Sequence, residues 1–332
     1  MKFSDIVGQD QAKKLLSSAV KYNKISNAYI ISGEKGCGKK MLANAFATAL
    51  MCEKGEGEAC GECPACKQTA NMNNPDVIYV THEKPNVIGI DEIRSQLNST
   101  VDIKPYKATR KLYIIDDAQL IGPQGQNALL KTIEEPPEYV TILFLTTNLS
   151  SFLPTILSRC VKIEMKALTN DQVRDALVNS HKVALDRVDV CAAFAQGNLG
   201  KAFSLVNDEE FLERKNDLIN LLASINKSGA YEMSGYISSL GKDKSRIDEA
   251  LSLITLWMKD VLLYKSTADT KGIVFLKEAD TIKMISSRMT YEGLGNVIDT
   301  VEKTKDRLKY NVNTETALEL LLYSIKENTK NA

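Results

Sequence analysis

The chain of 332 residues has no surplus of either charge: 42 Lys and Arg balance 42 Asp and Glu. Without a global field it does not recruit nucleic acid or membrane by net charge, so any such binding is local or supplied by partners. It contains no apolar run long enough to span a bilayer. The opening residues, Met1-Lys2-Phe3-Ser4-Asp5, lack the apolar core of a signal peptide, and a cytoplasmic location is expected. Histidine is scarce. His82 and His181 sit in no pattern of partners and receive no assignment. The length suggests two or three domains.

What the chain does have is a cluster of cysteine. Cys52, Cys60, Cys63 and Cys66 follow one another as C-x7-C-x2-C-x2-C, whereas Cys37, Cys160 and Cys191 are scattered. Zinc takes four soft ligands at tetrahedral corners, and a C-x-x-C turn brings two thiolates to one ion. Gly55, Gly57, Gly61 and Pro64 favour turns between them. A redox dithiol is the alternative for Cys63 and Cys66 alone, but the full set favours structural zinc. With four protein ligands no corner is left for a catalytic water, so the ion is expected to be a staple. Thiolate ligands fit a reducing compartment.

A glycine-rich run precedes the cysteines. Asn27 to Ser32 is short and apolar and predicts a buried strand; Gly33 to Gly38 predicts a loop; Met41 to Met51 predicts a helix. Strand, G-x-x-x-x-G-K and helix make the Walker A context, in which Gly33, Gly36 and Gly38 let backbone N–H groups turn onto phosphates and Lys39 adds a full charge. The hydroxyl that should follow and hold Mg²⁺ is missing. Lys40 stands there and has no lone pair for a metal. A glycine loop with no nucleotide role is the alternative.

Arg110 to Ala118 predicts an apolar strand ending in acids, the Walker B pattern. Asp116 would meet Mg²⁺. Asp117, a methylene shorter than the usual Glu, would polarise water less well. Both acids could instead cap the next helix. Gln126 to Glu135 predicts a helix stopped by Pro136 and Pro137. Val140 to Asn148 predicts a further buried strand whose Thr147 or Asn148 could reach a γ-phosphate. Pro154 to Cys160 contains Arg159 between small residues, which on its own would be a surface arginine.

These strings together resemble the clamp-loader subunits of bacterial DNA polymerase III, in the AAA+ class. The match rests on Ile6-Val7-Gly8-Gln9, the strand–Walker A run, the cysteine insert, Leu129-Leu130-Lys131-Thr132-Ile133-Glu134-Glu135-Pro136-Pro137 and Ser158-Arg159-Cys160. It is clear to about residue 165 and weaker beyond 205. It implies an α/β fold: an AAA+ parallel-sheet core over 1–165 with the zinc module near 52–66, a helical lid over 166–207, and an all-α collar over 208–332. It places Val7, Gly33, Gly36, Gly38, Lys39, Lys40 and Asn148 around a nucleotide, and Arg159 against a neighbour's ATP as a trans arginine finger. The implied partners are delta and gamma/tau subunits in a hetero-pentamer, and through the assembly the sliding clamp and primed DNA.

The family contains ATP-hydrolysing motors and a stator with a decayed site. This chain departs from the motors at Lys40, at Asp117 and at Gly200, where the motors carry a sensor arginine. It also lacks the long tail of tau. A stator is therefore expected, with ATP and Mg²⁺ held weakly at most and its own ATPase weak or absent. An active gamma/tau-type ATPase and a free-standing zinc-containing DNA-binding module are the alternatives. The rest predicts helices: Asn170 to Lys182, Leu185 to Gln196, Lys201 to Val206, Phe211 to Ile225, Met233 to Leu240, Ile247 to Ser266, Val274 to Ser287, Tyr291 to Leu308 and Thr314 to Glu327. Stripes such as Leu251, Ile254, Trp257, Met258 and Val261 predict a core face, and the charged run Lys303 to Lys309 a solvated one.

Overall fold

A computed structural model describes residues 1–82, 84–180, 185–241, 243–309 and 312–330. His181 lies outside them, as does Lys182 at the end of its expected helix. The chain divides into two compact units. The first comprises Met1–Gln172 with Asn198–Gly200, the second Val173–Gly197 with Lys201–Ala332.

The first unit is built on five strands: β1 (Ala28–Ser32), β2 (Val77–Val80), β3 (Lys111–Ile115), β4 (Val140–Thr146) and β5 (Val161–Glu164). All pair in parallel, in the order β2-β3-β4-β1-β5. Around them run α1 (Asp10–Lys21), α2 (Lys39–Met51), α3 (Pro64–Ala70), α4 (Ile90–Ile93), α5 (Pro123–Glu134) and α6 (Pro154–Leu157). A sheet covered on both faces needs strands that are apolar at every position. Side chains alternate between two cores. Ile31, Leu112, Ile114, Leu143 and Leu145 join Leu16 of α1 and Phe46 of α2 on one face. Ile30, Tyr113, Ile115, Ile142 and Phe144 join Leu129 and Ile133 of α5 on the other. This is the parallel α/β core expected, with the cysteine module between α2 and α3.

The topology fixes the site. β1 lies between β4 and β5, with Ser32 opposite Thr146 and Glu164. In such sheets ligands sit beyond the carboxyl ends of the strands, where the order reverses. The Gly33–Gly38 loop, Asp116–Asp117 and Thr147–Asn148 all leave strands at that edge. Helix α2 begins at Lys39, two residues earlier than expected, because Gly38 is the left-handed residue before it.

The second unit is helical. After α7 (Asn170–Ser180), which starts just inside the first unit, come α8 (Leu185–Ala195), α9 (Leu199–Val206), α10 (Glu209–Ser224), α11 (Ala230–Leu240), α12 (Lys244–Thr267), α13 (Ala279–Arg288), α14 (Tyr291–Lys309) and α15 (Thr314–Lys330). Trp257 is fully buried and meets Phe275 edge-on at 5.3 Å, so it is core as expected. Lys303, Asp306 and Arg307 of α14 are exposed. The helix expected from Val274 is a correction. Val274 and Phe275 precede a short 3-10 turn at Leu276–Glu278, and α13 starts only at Ala279. The cause is Asp260, whose Oδ2 accepts both amide N–H groups at 2.8 Å and holds that backbone out of a helix. Among the described residues no helix is long and apolar enough to cross a membrane.

Candidate phosphate site and cysteine centre

Gly33 extends β1 by one hydrogen bond, its N–H donating to Thr146 O. The loop then turns through Gly36 at φ 89° and Gly38 at φ 97°, a region that disfavours any Cβ. The carbonyls of Gly33 to Gly36 all find donors. Lys39 Nζ donates to Gly33 O at 2.8 Å and Glu34 O at 2.9 Å. Asn198 Nδ2 donates to Lys35 O at 2.8 Å, and Gly200 N–H to Gly36 O at 3.0 Å. Lys39 is buried, so its charge belongs to the loop.

The next residue meets the acidic end of β3. Lys40 Nζ lies 2.6 Å from Asp116 Oδ2, so the residue in the hydroxyl's place and the residue expected at Mg²⁺ bind each other. The hydrogen bond to Asp116, joined by the charges of Asp116 and Asp117, holds the Lys40 ammonium above its ordinary range. Beside the pair opens a cavity of about 370 Å³ lined by Lys40, Asn44, Tyr79, His82 and Asp116 among others. Asp117 is exposed in a left-handed turn at φ 48° and accepts from Gln119 Nε2 at 3.0 Å. It makes no side-chain cap on the short turn that follows, so the capping alternative fails for it.

At the end of β4, Asn148 Oδ1 accepts from Ser150 N–H at 3.0 Å and Ser150 Oγ at 2.7 Å. Thr147 N–H donates to Gln119 Oε1. Val7 is half-buried just before Gly8 and Gln9. The Gln9 carboxamide bonds the backbone of Lys166 in both directions, at 2.6 and 3.0 Å.

Arg159 sits away from the loop, after α6. Its Nη2 pairs with Glu134 Oε1 at 2.9 Å, and Nη1 donates to Thr155 O at 2.9 Å. Two motifs that sequence separates are thus in contact. The connection leading to α6 is tied down by Gln126 of α5, which is 1% exposed. Gln126 Nε2 donates to Ile121 O and Ser151 O, and its Oε1 accepts from Leu153 N–H. Sequence reasoning missed Gln126, although an amide on the buried face of α5 was a usable signal. It missed Asn198 too, and knew Gly200 only as a missing arginine. An added Cβ at Gly200 would stand 2.6 Å from Gly36 O and 2.9 Å from Gly36 Cα.

Cys52, Cys60, Cys63 and Cys66 come together as expected, with all four sulfurs within 4.8 Å of one another. Cys60 Sγ and Cys66 Sγ are 3.9 Å apart. Zn–S bonds of about 2.3 Å at tetrahedral corners would separate sulfurs by roughly 3.8 Å, so the quartet has the size for such an ion. Backbone N–H groups of Cys60, Cys63 and Cys66 point at the sulfurs of Cys52, Cys60 and Cys63. That pattern favours thiolates. The amides of Cys63 and Glu62 draw Cys60 down to about 6, while burial pushes Cys66 up to about 12. Burial pushes the scattered thiols up as well, the half-buried Cys160 to about 12 and the buried Cys191 to about 11.

A family model described as DNA polymerase III, delta subunit, matches residues 8–169, and one described as its C terminal matches residues 209–327. The tau subunit of Bacillus subtilis DNA polymerase III is 30% identical over 93% of this chain, which spans only 58% of that protein. The delta' subunit of the same organism is 27% identical over 96% of both chains. Among solved structures, a gamma subunit-related protein of Thermotoga maritima is 17% identical, with a TM-score of 0.38 over 97% of this chain and 99% of that one. The two family models together span most of the sequence, and the chain belongs to the DNA polymerase III delta-type subunit family that they describe.

Proposed function

We propose that the chain is a stator subunit of the delta-prime kind in a DNA polymerase III clamp loader. It assists ATP-driven placement of a sliding clamp on primed DNA, and it completes a neighbour's ATPase site while its own is degraded. The observation that carries this is the Lys40–Asp116 ion pair at 2.6 Å, which fills the corner where a motor needs Mg²⁺. Arg159 meanwhile remains at the surface, 40% exposed and chemically intact. Gly200 supports the same reading, because the backbone of Gly36 leaves no space there for a sensor arginine.

In this reading Lys39 and the Gly33–Gly38 loop hold phosphate weakly, and Asn148 and Val7 border the nucleotide. Asp116 is taken up by Lys40 instead of Mg²⁺, and Asp117 polarises water poorly. Arg159 offers a planar cation to a developing phosphoryl charge on the next subunit. Residues 1–165, 166–207 and 208–332 serve as core, lid and collar. Delta and gamma/tau subunits are its neighbours in a hetero-pentamer, working in the cytoplasm. The cysteine quartet would hold Zn²⁺ as a structural ion, which would offset half the charge of four thiolates and pin α3 to the end of α2.

The test is steady-state ATP hydrolysis by the purified chain, alone and mixed with delta and a gamma/tau-type partner. A stator shows negligible turnover alone and Arg159-dependent turnover in the mixture. Clear Mg²⁺-dependent turnover by the chain alone, abolished by Lys39→Ala, would establish the second reading, a gamma/tau-type motor. The 30% identity to a tau subunit favours that reading.

A further inference from the structure

We infer that Lys40 is a built-in replacement for the divalent cation, so that the Gly33–Lys39 loop binds nucleoside polyphosphates free of Mg²⁺. This rests on the loop being a phosphate site. It adds which ionic form of the ligand that site takes.

The argument begins with what the metal does in a motor. It bridges the β- and γ-phosphate oxygens to a hydroxyl on the first turn of the helix and to an acid at the end of another strand of the sheet. The helix turn here is at Lys40 and the acid is Asp116, and their side chains already meet at 2.6 Å. A Mg²⁺ ion demands octahedral oxygen at about 2.1 Å. An ammonium offers it no lone pair and repels it. Asp116, the acid at that corner, is already paired with Lys40. The residues present therefore do not fit the metal.

They do fit an anion. The Lys40 ammonium carries three donors. Asp116 takes one, and the side chain is 72% exposed, so the others remain available to a phosphate. Lys39 adds a second ammonium at the loop, fixed by Gly33 O and Glu34 O. The loop carbonyls of Gly33, Glu34, Lys35 and Gly36 all accept hydrogen bonds. Of the loop amides, Gly33 N–H donates to Thr146 O and Cys37 N–H to Glu34 O; the others are the donors that a phosphate would meet. Two lysines then supply the positive charge that one lysine and a metal supply elsewhere. Neither releases when a nucleotide is hydrolysed, so the device suits holding rather than turnover.

The test is calorimetric titration of ATP into the full chain and into Lys40→Thr, in metal-depleted buffer and again with Mg²⁺. Depletion is by resin, since a soluble chelator would attack the cysteine centre. The wild-type chain is expected to bind ATP without Mg²⁺ at least as tightly as with it, within about threefold. Lys40→Thr is expected to bind at least about tenfold more tightly when Mg²⁺ is added. Wild-type affinity that rises about tenfold or more with Mg²⁺ would overturn the inference. So would a Lys40→Thr variant that binds no better with Mg²⁺ than without it. Binding by the variant but not by the wild type would show that Lys40 closes the site instead, which also overturns it. If neither protein binds ATP under either condition, the loop is not a phosphate site and the inference falls with it; the stator reading then stands or falls on the assembly assay alone.

Discussion

Arg159 and Glu134 form an ion pair at 2.9 Å across two segments, the turn after α6 and the end of α5. Both partners are about half exposed, so the pair is worth at most about 1 kcal/mol to the fold. Its use is to keep a flexible side chain aimed. Arg159→Ala should therefore leave denaturant stability within about 1 kcal/mol of wild type. In the full assembly, turnover at the neighbouring site should fall roughly 10³-fold, and the total rate by that site's share. Single-turnover ATP hydrolysis by the reconstituted complex checks this, and an unchanged rate would remove the trans role. Arg159→Lys should rescue little, because a point charge lacks the planar fork of donors.

Gly200 makes the second prediction. An arginine restored there, as the motors carry, should not restore a motor. Its Cβ would press on Gly36 O and Gly36 Cα, which are backbone and cannot rotate aside. Gly200→Arg and Gly200→Ala should both lower stability by about 1–3 kcal/mol and disturb the glycine loop. Urea unfolding measures the cost. An Ala variant as stable as wild type would show that the loop yields freely.

Much of this was legible in the sequence because the relevant signals are local. Three apolar runs of strand length, the turn glycines at 36 and 38 and the cysteine spacing each specify structure within a few residues, whereas the four-residue strands β2 and β5, the latter with Lys162 and Glu164, carried too short a signal to be read. The pairings between distant segments were not legible. Nothing in the text of 126–137 says that Glu134 will face Arg159, or that Gln126 will bond three backbone groups beyond its own helix. Lys40 was readable as a defect in a motif, but its pairing with Asp116 depends on β1 and β3 standing one strand apart. The late start of α13 had no local signal at all. Its cause is a carboxylate fourteen and fifteen residues upstream of the two amides it binds.

The cysteine centre should contain one equivalent of tightly held zinc in the purified chain, measured by mass spectrometry of the metal. The small cluster of Cys52, Ala59 and Cys66 has little apolar surface of its own, so most of its local stability must come from the ion. Cys66→Ser, at a position 1% exposed, should lose the metal and lower the thermal midpoint by roughly 5 °C or more. Cys191→Ser should keep the full zinc content, since that thiol lies apart in the core. A folded, metal-free wild-type preparation of equal thermal stability would sink the staple.

Asp260 sets a pH dependence in the helical unit. It is 3% exposed, and burial, reinforced by the charge of Glu278, lifts its carboxyl from 3.8 to about 6 against the pull of two amide N–H donors. A raised folded-state pKa means that the folded chain holds this proton more tightly than the unfolded chain. The associated stability is fully present below about 3.8 and is lost as pH rises through about 6. The gap corresponds to at most about 3 kcal/mol. Asp260→Asn keeps an acceptor oxygen for Val274 and Phe275 and never ionises. Its stability, relative to wild type, should therefore rise across that window and level off above it. Asp260→Ala should be less stable than Asp260→Asn by about 1–3 kcal/mol at every pH, because it orphans two buried amides and neither variant titrates there. Denaturant midpoints of the three proteins between pH 4 and 7 (about 3 units spanning the transition) decide it. Parallel curves for wild type and Asp260→Asn would mean that the carboxylate ionises in the folded state as easily as in water.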